Sequence, residues 1–145
     1  MKDVIKLRTA TQEDYGFLYK LHCLTMRSHI EATWGWDDTW QKCNFEQYFQ
    51  SEADRIIVLN GHDVGRVLVD HSENKVHISN IQILPEHQNK GIGSLIISEI
   101  IQQAQQQECS VTLQVLKVNP ARRLYERLGF MVEGEDDAHF KMRRA

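Results

Sequence analysis

The chain has 145 residues, 41% hydrophobic and 26% charged, which fits one globular domain over residues 1–145 and excludes a low-complexity chain. Lys and Arg number 17 against 20 Asp and Glu, a net charge of −3, which argues against nucleic acid or an anionic membrane as partner. Cys23, Cys43 and Cys109 form no metal or redox motif and fit a reducing cytoplasm, while Met1–Lys6 lacks a leader's apolar core and no run spans a membrane.

Val4–Arg8 alternates apolar and charged residues and reads as a strand. Thr11–Asp14 resembles a capping box with Asp in the acidic place. A helix is expected to follow, with Phe17, Leu18, Leu21 and Leu24 inward, fading near Ile30. Trp34-Gly35-Trp36 interrupts it, and Asp37 or Asp38 caps a second helix through Trp40, Phe45, Tyr48 and Phe49. Arg55–Leu59, Val64–Val69 and Val76–Leu84 form a meander. Asn60-Gly61 makes its first turn, because both residues tolerate positive φ, and Pro85 ends it.

Gly91 to about Gln107 reads as a helix with Ile92, Leu95, Ile96 and Ile100 on one face and a solvated, glutamine-rich tail. Val111–Val115 is a strand, and Cys109 at its start is expected in the core. Asn119-Pro120 opens a short helix that Gly129 stops. Phe130–Glu133 and Ala138–Arg143 are the last strands. The order β-α-α-β-β-β-α-β-α-β-β predicts a mixed α/β fold, a sheet of about seven strands flanked by four helices.

The segment Gln88-Asn89-Lys90-Gly91-Ile92-Gly93-Ser94 joins a strand to a helix. The first N–H groups of a helix have no intrahelical partners, and the dipole there favours an anion. Two phosphate loops are excluded. The dinucleotide fingerprint needs glycine where Ile96 stands, and a Walker A loop needs Gly-Lys-Ser/Thr, whereas Lys90 precedes Gly91. Alone, the segment reads as an anion site or a structural turn.

It resembles the cofactor loop of the GNAT N-acetyltransferase superfamily, Gln/Arg-x-x-Gly-x-Gly/Ala after a strand. Asn119-Pro120-Ala121-Arg122-Arg123-Leu124-Tyr125-Glu126-Arg127-Leu128-Gly129-Phe130 resembles that family's second signature, and the element order matches over nearly the whole chain. The resemblance implies acetyl-CoA as co-substrate, no metal, and a small primary amine or a peptide amine as acceptor. It also implies that Ile83 and Leu84 hold the pantetheine arm and thioester through main chain. Residues Gln88, Asn89, Lys90, Gly91, Ile92, Gly93 and Ser94 would bind pyrophosphate, with Gln88 where Arg is frequent. Asn119 would touch pantetheine or cap a helix. Tyr125 matches the general acid for the departing thiolate, being protonated with a phenol pKa of about 10. His77 falls at the base position of the third meander strand, acting directly or through a water that Ser79 could hold. Small members of the family often pair as homodimers.

The acceptor wall is expected at the helix junction, where three tryptophans and three carboxylates lie between Glu31 and Trp40. Glu31 with Trp34 or Trp36 would contact a cationic amine. The alternatives are core tryptophans and capping aspartates. For the chain as a whole the alternatives are an acyl-CoA sensor without turnover and an interaction domain with a structural turn.

Overall fold

The computed structural model describes residues 3–49 and 53–145; Met1 and Lys2, at the head of the segment read for a leader, lie outside them. The elements are β1 (Ile5–Thr9), α1 (Tyr15–Trp34), α2 (Asp38–Tyr48), β2 (Asp54–Leu59), β3 (His62–His71), β4 (Lys75–Ile83), α3 (Ile92–Gln106), β5 (Ser110–Leu116), α4 (Arg122–Arg127), β6 (Met131–Glu135) and β7 (His139–Arg144). They make the mixed α/β architecture expected, a seven-stranded sheet in the order β1-β2-β3-β4-β5-β7-β6. Strands β4 and β5 run parallel, while β1 with β2, β2 with β3, β5 with β7 and β6 with β7 are antiparallel. No helix among the described residues is long and apolar enough to cross a membrane.

Two compact units divide the chain: one runs to Leu68 and takes in Asn80–Gln88, the other holds Val69–Ser79 and Asn89–Ala145. In the first, the expected capping box forms. The Thr11 N–H donates to Asp14 Oδ2 at 2.8 Å, and Arg8 clamps the same carboxylate with bonds of 2.9 and 2.8 Å. The helix runs four residues past the expected end at Ile30, until left-handed Gly35 (φ 86°) breaks it. Asp37 rather than Asp38 caps α2, its Oδ1 accepting the Trp40 N–H at 2.8 Å. Leu18, Leu21 and Ile30 are buried, but Leu24 is half exposed. At 100° per residue it has turned about 120° from Leu18.

Tyr15, Tyr19, Phe45 and Phe49 interlock α1 and α2 in edge-to-face contacts of 5.3–5.5 Å. Arg66 lies under this layer with its guanidinium 5.7 Å from the Phe45 ring and bonded to buried Asp54 at 2.7 and 2.9 Å. Asn60 and Gly61 take the positive φ values, 51° and 86°, that the tight turn between β2 and β3 requires. Gly65 answers a different need. A Cβ there would collide with the main-chain oxygen of Gln82, so glycine permits the close approach of the β3 and β4 backbones.

In the second unit α3 packs on β5. Its buried arc is Ile92, Ile96, Ile97, Ile101 and Ala104, which holds Ile92 and Ile96 of the face expected but not Leu95. Leu95 is exposed, since the arc runs from Ile92 to Ile101 and position 95 falls on the far side. Cys109 is half-buried rather than core. It belongs to the turn before β5, where Glu108 has φ 57°, and its Sγ faces the carbonyls of Glu73 and Gln107. Gly129 (φ 96°) follows α4 in the left-handed conformation expected of a stop residue.

Candidate active site

The end of β4 and the start of α3 share one loop. Pro85–His87 forms a single tight turn; Asn89 (φ 62°) and Gly91 (φ 84°) then take left-handed conformations that swing the chain into the helix. The first intrahelical bond runs from the Leu95 N–H to the Gly91 oxygen at 3.0 Å. No side chain caps α3, so the N–H groups of Ile92, Gly93 and Ser94 face the helix entrance without intrahelical partners. Gly91 lies in open space, leaving the approach clear, and Lys90 beside it is exposed. A phosphate group matches this arrangement of donors and dipole.

Gln88 has a use the sequence did not reveal. Its Nε2 donates to the Ile83 oxygen at 2.8 Å, pinning the loop to the strand end. Leu84 donates its N–H to the Val64 oxygen and accepts from the His87 N–H, both at 2.8 Å. Both main-chain groups of Leu84 are therefore engaged, and so is the Ile83 oxygen. The register of β4 with β5 covers Lys75–Ile78, short of the Ile83 end.

Asn119 turns the chain after β5, its Oδ1 accepting the Ala121 N–H at 2.9 Å. This bond closes a turn over Pro120 and is not the expected helix cap, since α4 starts at Arg122 with Ala121 as its N-cap and no side chain capping it; it leaves the Asn119 side-chain NH₂ unspent. Tyr125 is buried on α4 with Phe130 edge-on at 6.0 Å. Its hydroxyl makes no hydrogen bond with another described residue. Burial pushes its pKa up to about 12, so the phenol keeps its proton across the neutral range.

His77 sits directly opposite Thr112 in the β4–β5 register, with Nδ1 2.8 Å from Thr112 Oγ1. Ser79, two residues on and therefore on the same strand face, donates to the Asp70 carboxylate on β3. Thr112 and Asp70 escaped the sequence reading, because only strand register places them beside His77 and Ser79.

At the α1–α2 junction, Glu31 and Trp36 share a neighbour, Arg27. Its guanidinium lies 5.3 Å over the Trp36 ring, 4.0 Å from Glu31 and 3.9 Å from Asp38. The Trp36 indole N–H donates to Asp38 at 2.6 Å. His22 packs beside Trp36 at 5.9 Å and meets buried Gln41 at 3.0 Å. Burial holds the His22 imidazole below its usual pKa, helped by the Arg66 charge and opposed by Gln41. Trp34 and Trp40 are both exposed, against the alternative of core tryptophans.

A family model described as the Acetyltransferase (GNAT) family matches residues 17–130. The chain belongs to the GNAT acetyltransferase family. No curated protein matches it. Among solved structures it is similar to the PaiA N-acetyltransferase of Thermoplasma acidophilum in complex with coenzyme A. The TM-score is 0.79 at 16% identity, over 97% of this chain and 98% of that one. The ribosomal-protein-S18-alanine N-acetyltransferase of Escherichia coli has a TM-score of 0.69 at 17% identity, covering 97% and 93%. Arabidopsis thaliana Naa50, in complex with the bisubstrate analogue CoA-Ac-MVNAL, has 0.68 at 15%, covering 97% and 98%. At these identities the likeness is one of fold.

Acyl transfer is the chemistry of the GNAT family. Among the described residues no group of three His, Cys, Asp or Glu could hold a metal ion.

Proposed function

We propose that this GNAT chain transfers the acetyl group of acetyl-CoA to a primary amine by direct attack in a ternary complex. The observation that carries the reading is the α3 entrance. Left-handed Asn89 and Gly91 aim unpartnered N–H groups into open space, where pyrophosphate would gain charge-assisted bonds. Gln88 supports this indirectly by tying the loop to Ile83, and Lys90 adds charge. Pantetheine would lie along Asn119. Tyr125 donates the proton that the departing thiolate needs. The amine sheds its own proton on the β4 face that carries His77 and Ser79.

The acceptor enters by the α1–α2 junction. Arg27 already rests there against the Trp36 ring and two carboxylates, which supports a site chemically fit for a cation. These exposed pairs are long, each contributing about 1 kcal/mol or less, so a cationic group of the acceptor other than the amine to be acetylated can displace the guanidinium. Glu31→Ala and Trp36→Ala are expected to raise the acceptor KM several-fold with the acetyl-CoA KM unchanged. Unchanged acceptor KM in both variants would remove Glu31 and Trp36 from the acceptor wall.

Coenzyme A titration followed by thermal shift tests the cofactor reading. Ligand at 100 times Kd is expected to stabilise the fold by about 2.7 kcal/mol. A thiol-release assay across alkyl, arylalkyl and peptide amines then tests turnover. Absence of any shift would reduce the loop to a structural turn, and a shift without thiol release would make the chain an acyl-CoA sensor.

A further inference from the structure

The hydrogen bonds on the β4 face have a direction. Thr112 is 6% exposed, and its hydroxyl has no described partner other than His77 Nδ1 at 2.8 Å. If the imidazole donated to it, the Thr112 O–H would be left unmade in a buried place, which proteins avoid. Thr112 therefore donates, Nδ1 accepts, and neutral His77 carries its single proton on Nε2. In that tautomer the outward nitrogen is a donor and has no lone pair to receive a proton.

The acceptor groups on this face lie one step along the strand. The Ser79 hydroxyl proton is committed to Asp70 Oδ2, which leaves the Ser79 oxygen lone pairs and Asp70 Oδ1 unspent. Asp70 is exposed, and no described Lys, Arg or His pairs with it. A carboxylate held in place by one bond and lacking a counter-ion matches an alkylammonium, which carries three donors and no acceptor.

We propose that the acceptor's amine docks on Asp70 and Ser79, with His77 beside them as a hydrogen-bond donor fixed by Thr112. This rests on the acyl-transfer reading and names the residues that receive its second substrate. It also moves His77 from the base role to a positioning role.

Nitrogen NMR of histidine-labelled protein reads the tautomer directly. The proton is expected on Nε2 of His77 in the wild type and shared between both nitrogens in Thr112→Val; a proton on Nδ1 in the wild type would overturn the proposal. Thiol-release kinetics with phenethylamine then compare wild type, Asp70→Asn, Asp70→Glu and Ser79→Ala. Asp70→Asn is expected to raise the amine KM at least about tenfold, with kcat and the acetyl-CoA KM within about twofold, and Asp70→Glu to recover most of the loss. An amine KM unmoved by Asp70→Asn sinks the idea while leaving acyl transfer intact. Should wild type release no thiol, the acyl-transfer reading fails, and calorimetric titration of phenethylamine into the coenzyme A-loaded protein decides the site. Binding lost in Asp70→Asn supports it, and equal binding or none in both proteins overturns it.

Discussion

Replacing Tyr125 with Phe is expected to lower kcat on the order of 100-fold while coenzyme A affinity stays unchanged, the lower end of what a positioned general acid contributes. The change removes one oxygen and keeps the ring, so the contact with Phe130 survives and α4 should hold its place. The hydroxyl has no bond to another described residue to lose, so no described buried partner is orphaned. Burial holds the phenol proton up to about pH 12. No alkaline fall in kcat below about pH 11 is therefore assigned to this residue.

The same pKa shift carries a stability sign. Tyrosine in the unfolded chain ionises near pH 10, below the folded value. The stability that goes with the protonated form is intact below pH 10 and drains away as pH rises towards 12. Steady-state thiol release and coenzyme A calorimetry on the same preparation separate the roles. A Tyr125→Phe enzyme with full kcat removes the acid, whereas a matching loss of coenzyme A affinity would recast Tyr125 as part of the cofactor pocket.

Asp54→Asn is expected to destabilise the fold by about 3–5 kcal/mol, as removal of one partner from a buried ion pair does. For a chain of this length the loss lowers Tm on the order of 10 °C. Asp54 and Arg66 are 2% and 6% exposed, and Nε and Nη2 of Arg66 both bond to the same Asp54 oxygen. A guanidinium cannot discharge itself in response and stays charged in the buried layer. Arg66→Met is the softer variant, since the stranded carboxylate can take up a proton. Burial already raises the Asp54 pKa, against the charge and hydrogen bonds of Arg66 and the charge of Arg55. The folded carboxyl thus binds its proton more tightly than the unfolded one, and Arg66→Met should regain stability as pH falls through that raised value. Urea denaturation at neutral and acid pH gives both numbers. The double variant Asp54→Leu with Arg66→Met should recover most of the loss; a double variant as unstable as Asp54→Asn would show that the pair itself, rather than its desolvated charge, holds the layer beneath α1 and α2.

Much of the chain's local structure was legible before any coordinates. The capping box at Thr11–Asp14, the turn at Asn60-Gly61, the strand stop at Pro85 and the helix stop at Gly129 are decided by residues within one turn of each other. Their steric and hydrogen-bonding preferences do not wait for the rest of the chain. The loop from Gln88 to Ser94 was legible for the same reason, being one contiguous segment whose chemistry is mainly backbone.

The tertiary structure alone decided which residues meet across strands and which face of a helix is buried. Leu24 and Leu95 turned outward although each is apolar and suitably spaced, since the buried arc depends on where the neighbouring layer lies. Gln88 reached back to Ile83, and Leu84 spent its main chain on Val64 and His87. Asp54 found Arg66, Ser79 found Asp70, and His77 found Thr112, all through strand register. Register is set by packing of whole strands, and a one-residue slip would send each of those side chains to the opposite face. Residue types could therefore mark His77 as a candidate for proton chemistry, while its hydrogen-bond partner is a threonine thirty-five positions away.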